Sequence, residues 1–586
     1  MSGTRNTEKM TVRHIITAAV SLIAVMPLSA QEKGQEGALN REITLFNPYK
    51  PTLNSAKKRS FLPDMKDTVR IKPQFSYEVS SEPFLPAYTV SPIKAASLLP
   101  DPLPKLYKSY VNLGMGNYAA PLAEISISNE RSKKGSLGFY GRHFSSSSNI
   151  DLANSKEIYA GMMDNEASLS GRKFFRRSVF EGSADFLQTV RHAYGYNPAA
   201  AIAYDPGKED IRMRYNNIGA KAAYRSSAID SLGFAYDFSA YYNYFYHIAD
   251  MAQHNYGIEG MMAKPFKGFY VGSSMDLEFY KNSDSLSTST DFIFSLSPFI
   301  RKSTPIWNFK LGLQALIDRR SSFHLYPDVN FGFSIVPSYA SFYASMTGKL
   351  ERNEPLKIIR ENPFLASSQY PQLMADGILF TLPDTDHELV LTAGIKGNTG
   401  LEGRYLASVS YSMISEMLFY TNLYNTDPLK PAMGNYFSVD AADVDLLNIH
   451  GEMSGRFSDK LTYAWNANYY NYSASGVIAS YKPDWDARFE LRYDLRSKII
   501  AGAALTATGS RTAMINADYA SSLAGYPEST FELPAHFNLN LSAEYRYSKI
   551  LSFWTRLNNI ALKGYEEWAF YPTHRFQFML GLTYSL

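Results

Sequence analysis

Three stretches carry residue types at spacings that chemistry uses. Gly114-Met115-Gly116-Asn117-Tyr118-Ala119 fits the form G-x-G-x-x-A, which brings a backbone close to a pyrophosphate. That use needs a helix amino terminus directly afterwards. Pro121 and the alternating run Ala123 to Ser128 predict a strand instead, so the glycines read as making room in a wall of strands. His143 stands beside the serines 145 to 148, and His192 can be matched with Asp164 and Glu166; either set could bring a base to a nucleophile or carboxylate. Polar wall and loop positions account for both, and no catalytic residue is assigned. No P-loop, H-E-x-x-H or G-x-S-x-G occurs, ten scattered histidines lack metal-ligand spacing, and cysteine is absent. Neither a cofactor, a metal nor an enzyme activity is expected.

The elements that would hold such residues are strands. In Asp486 to Leu495, Ala487, Phe489, Leu491, Tyr493 and Leu495 take one face, and Arg488, Glu490, Arg492, Asp494 and Arg496 take the other. Successive side chains on a strand point to opposite sides, so one face is apolar and the other a charged ladder. Similar alternation runs through Leu232 to Tyr246, Tyr405 to Met413, Leu461 to Tyr469 and Phe537 to Tyr547, and about 22 such segments fit between Leu106 and Leu586. An even number of alternating strands, with short connections such as Arg131 to Gly135 and long ones at Asn353 to Asp386 and Asn422 to Gly434, predicts an all-β transmembrane antiparallel barrel. Its charged ladder would face the lumen. The final strand is apolar at every even position from Phe576 to Leu586, as a strand that must close a barrel in lipid would be.

Composition agrees. Forty-three Tyr and thirty-six Phe suit strands and interfacial aromatic girdles, and a net charge of +3 without a basic stripe gives nucleic acid no footprint. Arg13 and His14 precede an apolar run, Ile15 to Met26, and small residues up to Ala30, which predicts a signal peptide over 1–30. Ten prolines between Pro48 and Pro104 predict an extended periplasmic or lumenal segment over 31–105, and the barrel would occupy 106–586. A bore of that size would leak unless something filled it. The proline-rich segment is the preferred occupant, and Asn353 to Asp386 folded inward is the other.

Several of these residues resemble those of TonB-dependent receptors. Arg556, Leu557, Asn558, Asn559 and Ile560, then Tyr565, Trp568, Tyr571, Pro572 and Arg575, are similar to the turn and last-strand opening of that family. Gly581, Tyr584 and Leu586 resemble the terminal signal read by the barrel-assembly machinery, and Asn362-Pro363-Phe364-Leu365 with Glu388 and Gly394 resembles another stretch of the family. Glu42-Ile43-Thr44-Leu45-Phe46 resembles the box that pairs with TonB. Gly114 to Tyr118, Pro121, Ser128 to Lys133 and His143 to Ser147 are similar to plug-lacking, receptor-like barrels of Bacteroidota; the segment from Gln31 to Lys105 is too short for the family's globular plug. The resemblance implies a cell outer-membrane barrel for solute binding or passage, in contact with outer-membrane lipids and with TonB or another envelope protein. Its alternative is a structural or accessory subunit of an envelope assembly or docking complex.

Overall fold

A computed structural model describes residues 107–586 apart from 130–131, 153–155, 197–204, 227–232, 248–250, 284–287, 366–381, 401, 426–431, 475, 516–529 and 561–563. The proposed signal peptide, the proline-rich segment and the box at Glu42 to Phe46 lie outside the described residues. Twenty-two antiparallel strands close into one barrel. Closure is made by the first strand, Ser109–Gly116, and the last, Gln577–Ser585, with Val111 opposite Tyr584, Leu113 opposite Leu582 and Gly114 opposite Gly581. Ser109 and Leu586 exchange both backbone bonds, at 3.0 and 2.9 Å, so pairing continues to the last residue of the sequence.

Connections are short at one end and long at the other. At the short-turn end, Lys267 and Gly268 join two strands with φ of 48° and 82°, the positive values that a two-residue hairpin demands. At the other end, the segment between Ala340–Glu351 and Thr385–Asn398 contains a short helix, Pro355–Glu361, which begins with proline at a position where a missing amide donor costs nothing. The strands Arg404–Asn425 and Ala432–Ser458 run into both ends of the stretch that sequence assigned to a loop at Asn422 to Gly434. A bulge between Leu423 and Tyr424 absorbs the irregular residues there while pairing continues.

One face of the wall is apolar and open. Leu113, Ile127, Leu137, Leu169, Ile258, Leu311, Leu325, Phe553 and Leu580 are all exposed on it. A water-soluble protein rarely exposes a continuous apolar surface of this extent, whereas lipid requires one. Among the described residues no helix is long and apolar enough to cross a membrane.

The closing seam has a specific packing device on its opposite face. Trp554 is buried and donates from Nε1 to Asn112 Oδ1 at 2.7 Å, and Asn112 Nδ2 donates to Glu124 Oε2 at 2.7 Å. Its indole lies against the paired glycines 114 and 581. A Cβ on Gly114 would stand 2.7 Å from the ring, and one on Gly581 would strike both the ring and the carbonyl oxygen of Leu113. The glycines of the G-x-G-x-x-A stretch thus serve the wall, and Tyr118 and Ala119 form the turn after them with φ of 60° and 43°. Gly114→Ala and Gly581→Ala should each cost about 1–3 kcal/mol by overpacking. In urea titrations read by heat-modifiable gel migration, Trp554→Ala should relieve the first but not the second, because the Leu113 carbonyl remains. Equal relief of both would contradict this reading of the seam.

Candidate functional site

The face opposite the apolar one carries the ionisable residues, and most are paired across neighbouring strands. Glu181 accepts from Arg172 at 2.8 Å and also pairs with Arg225. Glu259 accepts from Lys221 at 2.9 Å and from Ser239 at 2.6 Å, while Arg352 meets Asp276 at 2.6 Å and the buried Glu278. Arg172, Glu181, Lys221, Arg225, Glu259 and Asp276, with Ser183 and Asp237, line much of a cavity of about 800 Å³. Most of these partners are distant in sequence. Arg352, one residue past the strand Ala340–Glu351, reaches Asp276 four strands away and 76 residues back in sequence.

At the long-loop end this face is crossed by an apolar strap. Helix Pro355–Glu361 buries Ile358 and Ile359, and the chain continues through Phe364 and Leu365. Tyr215, on the sixth barrel strand, Arg212–Ser226, donates to the carbonyl oxygen of Pro363 at 2.6 Å. Phe437, on the sixteenth, Ala432–Ser458, donates its backbone N–H to the carbonyl oxygen of Phe364 at 3.1 Å. The anchors are ten steps apart round a ring of twenty-two strands, so residues 362–365 bridge nearly opposite walls of the barrel.

The last long connection meets the strap. Tyr571 stacks on Phe364 with ring centroids 4.1 Å apart, has Tyr194 at 4.8 Å, and donates to Asn435 O at 2.5 Å. Trp568 packs edge-on to Phe437 at 5.2 Å and against Tyr481 at 4.7 Å. Arg511 donates to the carbonyl oxygens of Glu566 and Glu567, each at 2.9 Å; burial pushes the Glu566 carboxyl up, partly offset by the amide it accepts from Phe570. The neck of the strap is fixed as well. Asn353 Nδ2 donates to Thr385 Oγ1 and Pro383 O, and Asp384, itself buried, accepts from the Asn353 backbone N–H and the Arg319 guanidinium.

Sequence expectations fare unevenly at this site. Tyr571 and Trp568 are centres of the cluster on the strap, and the described residues 353–365 of the loop expected to fold inward lie across the long-loop end. Arg488 pairs with Glu490, and both share a recess with Arg404, Glu452 and Asn466. Arg492 lies in a different recess. The strand stops at Leu495, so Arg496 is off the ladder: with Ser497 it forms the turn, both at positive φ, and Asp494 Oδ1 accepts the Ser497 amide at 2.6 Å. Gly581 and Tyr584 lie in the closing strand, and Leu586 pairs beyond it.

Neither candidate base forms a catalytic set. His192 Nδ1 meets the Gly161 carbonyl oxygen, while Asp164 is held by Arg191 at 2.9 and 3.0 Å and Glu166 by Arg142 at 3.2 Å. His143 does sit 3.2 Å from Ser145 Oγ and 2.6 Å from Asn165 Oδ1. That line runs on through Gln188 to Asn216 as one amide ladder, and the adjacent backbone is committed to strand pairing of Ser145 with Met163, which leaves an oxyanion no donor pair there. Among the described residues no group of His, Asp and Glu has metal-binding geometry.

No protein-family model matches the sequence, and no curated protein matches it. Solved structures do. The siderophore receptor PirA from Acinetobacter baumannii superposes with a TM-score of 0.62 at 11% identity, over 83% of this chain and 81% of that one. The pyoverdine outer membrane receptor FpvA from Pseudomonas aeruginosa gives 0.59 at 12% identity, over 82% and 79%. The copper transporter OprC gives 0.58 at 12% identity, over 82% and 81%. The chain therefore has the fold of large outer-membrane receptor barrels. The neighbours are transport receptors rather than enzymes.

Tyr571→Ala should remove the ring stacked on Phe364 and loosen the strap by about 3 kcal/mol or more. Added protease should then cut within 355–365 while the barrel keeps its heat-modifiable migration. Unchanged resistance would show that Tyr571 does not hold the strap.

Proposed function

We propose that the protein is an outer-membrane barrel, receptor-like and without a globular plug, that binds a solute at the cell surface and lets it pass, with no catalytic step. The observation that carries this reading is the strap anchored on nearly opposite walls of a barrel whose other face is charged. A structural pillar needs no apolar closure across its bore. In this reading the long-loop end faces the cell exterior, the short-turn end the periplasm, and the face bearing Arg488, Glu490 and Arg492 the aqueous lumen. Residues 1–30 direct export, 31–105 form an extended segment that reaches TonB or another envelope protein through Glu42 to Phe46, and Gly581, Tyr584 and Leu586 guide assembly. Support comes from the shared fold of the receptors for siderophores and from the copper transporter.

Single-channel recording in planar bilayers tests this. The intact protein should give a low current, and deletion of residues 355–365 or of Glu32 to Pro104 should raise it, each deletion reporting one occluder. Silence of both deleted forms, if they insert normally, favours an accessory docking role instead. The lipid assignment has its own check. Leu491→Arg should cost roughly 2–4 kcal/mol of folding free energy near the bilayer midplane, whereas Arg492→Ala should leave insertion intact. Equal folding of the two variants in liposomes would refute the assignment of faces.

A further inference from the structure

We propose that the recess beside the closing seam is a binding site for a soluble oxyanion with at least two negative charges, of the phosphate or carboxylate class. Strand register builds it. Arg492 pairs with Gly502, Gly502 with Ser542, and Ser542 with Arg556, so the four residues form one row across four adjacent strands. Neighbouring strands lie about 4.8 Å apart, which puts the two arginine backbones roughly 14 Å from each other. Between them stand only a glycine and a serine. The result is a trough with a guanidinium rising from each side, part of a cavity of about 910 Å³ that also meets Arg546, Lys549 and Asn112.

Charge in this trough is unbalanced. Glu544 is its one acidic lining residue, and it is engaged by Arg546 at 3.1 Å. Among the described residues no carboxylate pairs with Arg492, Arg556 or Lys549, whereas Arg142, Arg172, Arg225, Lys221 and Arg352 each meet one elsewhere on the wall. Arg556 is also held in place. Its guanidinium lies over the Trp554 ring at 4.5 Å, and that ring is fixed by Asn112 and by the glycines 114 and 581. A planar guanidinium stacked on an aromatic face presents its remaining N–H groups as a fork, the geometry that grips phosphate or carboxylate by two bonds. The binding energy does not have to pay for ordering that side chain again.

This site is independent of passage through the bore, because an anion can bind from the short-turn end whether or not the strap opens. The Arg496–Ser497 and Tyr547–Ile550 turns, at that end, adjoin it.

Isothermal titration of the full-length barrel in detergent at low ionic strength tests the proposal, with inorganic pyrophosphate in one arm and citrate in the other. At least one should bind, more weakly as salt rises. Arg492→Gln and Arg556→Gln should each weaken it about tenfold or more, since each removes a charge-assisted contact. Arg456→Gln, which removes a cation paired with Glu402 outside the trough, should leave binding as it was. Binding in one arm only distinguishes phosphate from carboxylate chemistry. No heat from either anion with the wild type, or equal affinity in both trough variants and the wild type, overturns the proposal. Heat-modifiable migration of every variant confirms that the barrel tested is folded, and the wild-type arms stand without any variant.

Discussion

A chain that crosses lipid as strands must leave no backbone donor or acceptor unpaired, and this one requirement organises the molecule. It forces the first strand to meet the last, and the meeting is made tight by two facing glycines under a single tryptophan. The seam is where side chains matter most to closure, because its two strands are the most distant in sequence of any pair. Trp554 connects that seam to the wall chemistry. Its indole N–H binds Asn112, Asn112 binds Glu124, and Glu124 binds Arg142, so the packing of the closure passes directly into the ion-paired lining.

The second organising feature is the strap. A helix of seven residues is too short to be stable by its own backbone bonds, and its burial against aromatic rings supplies what propensity cannot. Six connections of unrelated sequence contribute to the cluster, among them Tyr194, Phe364, Tyr481 and Tyr571. Such a closure can be strong in total and still yield when a few contacts are replaced, since each is a separate packing or hydrogen-bonding interaction with a loop.

Much of this was legible before any coordinates. Alternation at Asp486 to Leu495 gave the strand and both its faces, because a period of two is a local property. The end of that strand was not legible: Arg496 and Ser497 take positive φ without the Gly or Asn that advertises such a turn. The ends of Asn422 to Gly434 looked like loop for the opposite reason, since Asn, Pro and Gly there suggest turns while bulged pairing extends the strands to Asn425 and Ala432. Contacts that depend on register escape sequence altogether. Tyr571 and Trp568 stood out as residues of a familiar pattern, yet that they close on Phe364 and Phe437 follows only from the barrel's circumference. The row from Arg492 to Arg556 is hidden in the same way, because a 64-residue separation conceals a lateral offset of three strands.

The central claim is that alternate residues of each wall strand face lipid and water. Absence of cysteine makes a direct measurement clean. Single cysteines placed in turn at positions 488 to 493, in the barrel reconstituted in liposomes, can be challenged with a membrane-impermeant maleimide and with a lipid-attached quencher acting on a fluorescent label. Positions 488, 490 and 492 should react with the aqueous reagent, and positions 489, 491 and 493 should be quenched from within the bilayer. A uniform response along the strand, or the reverse alternation, would contradict the account.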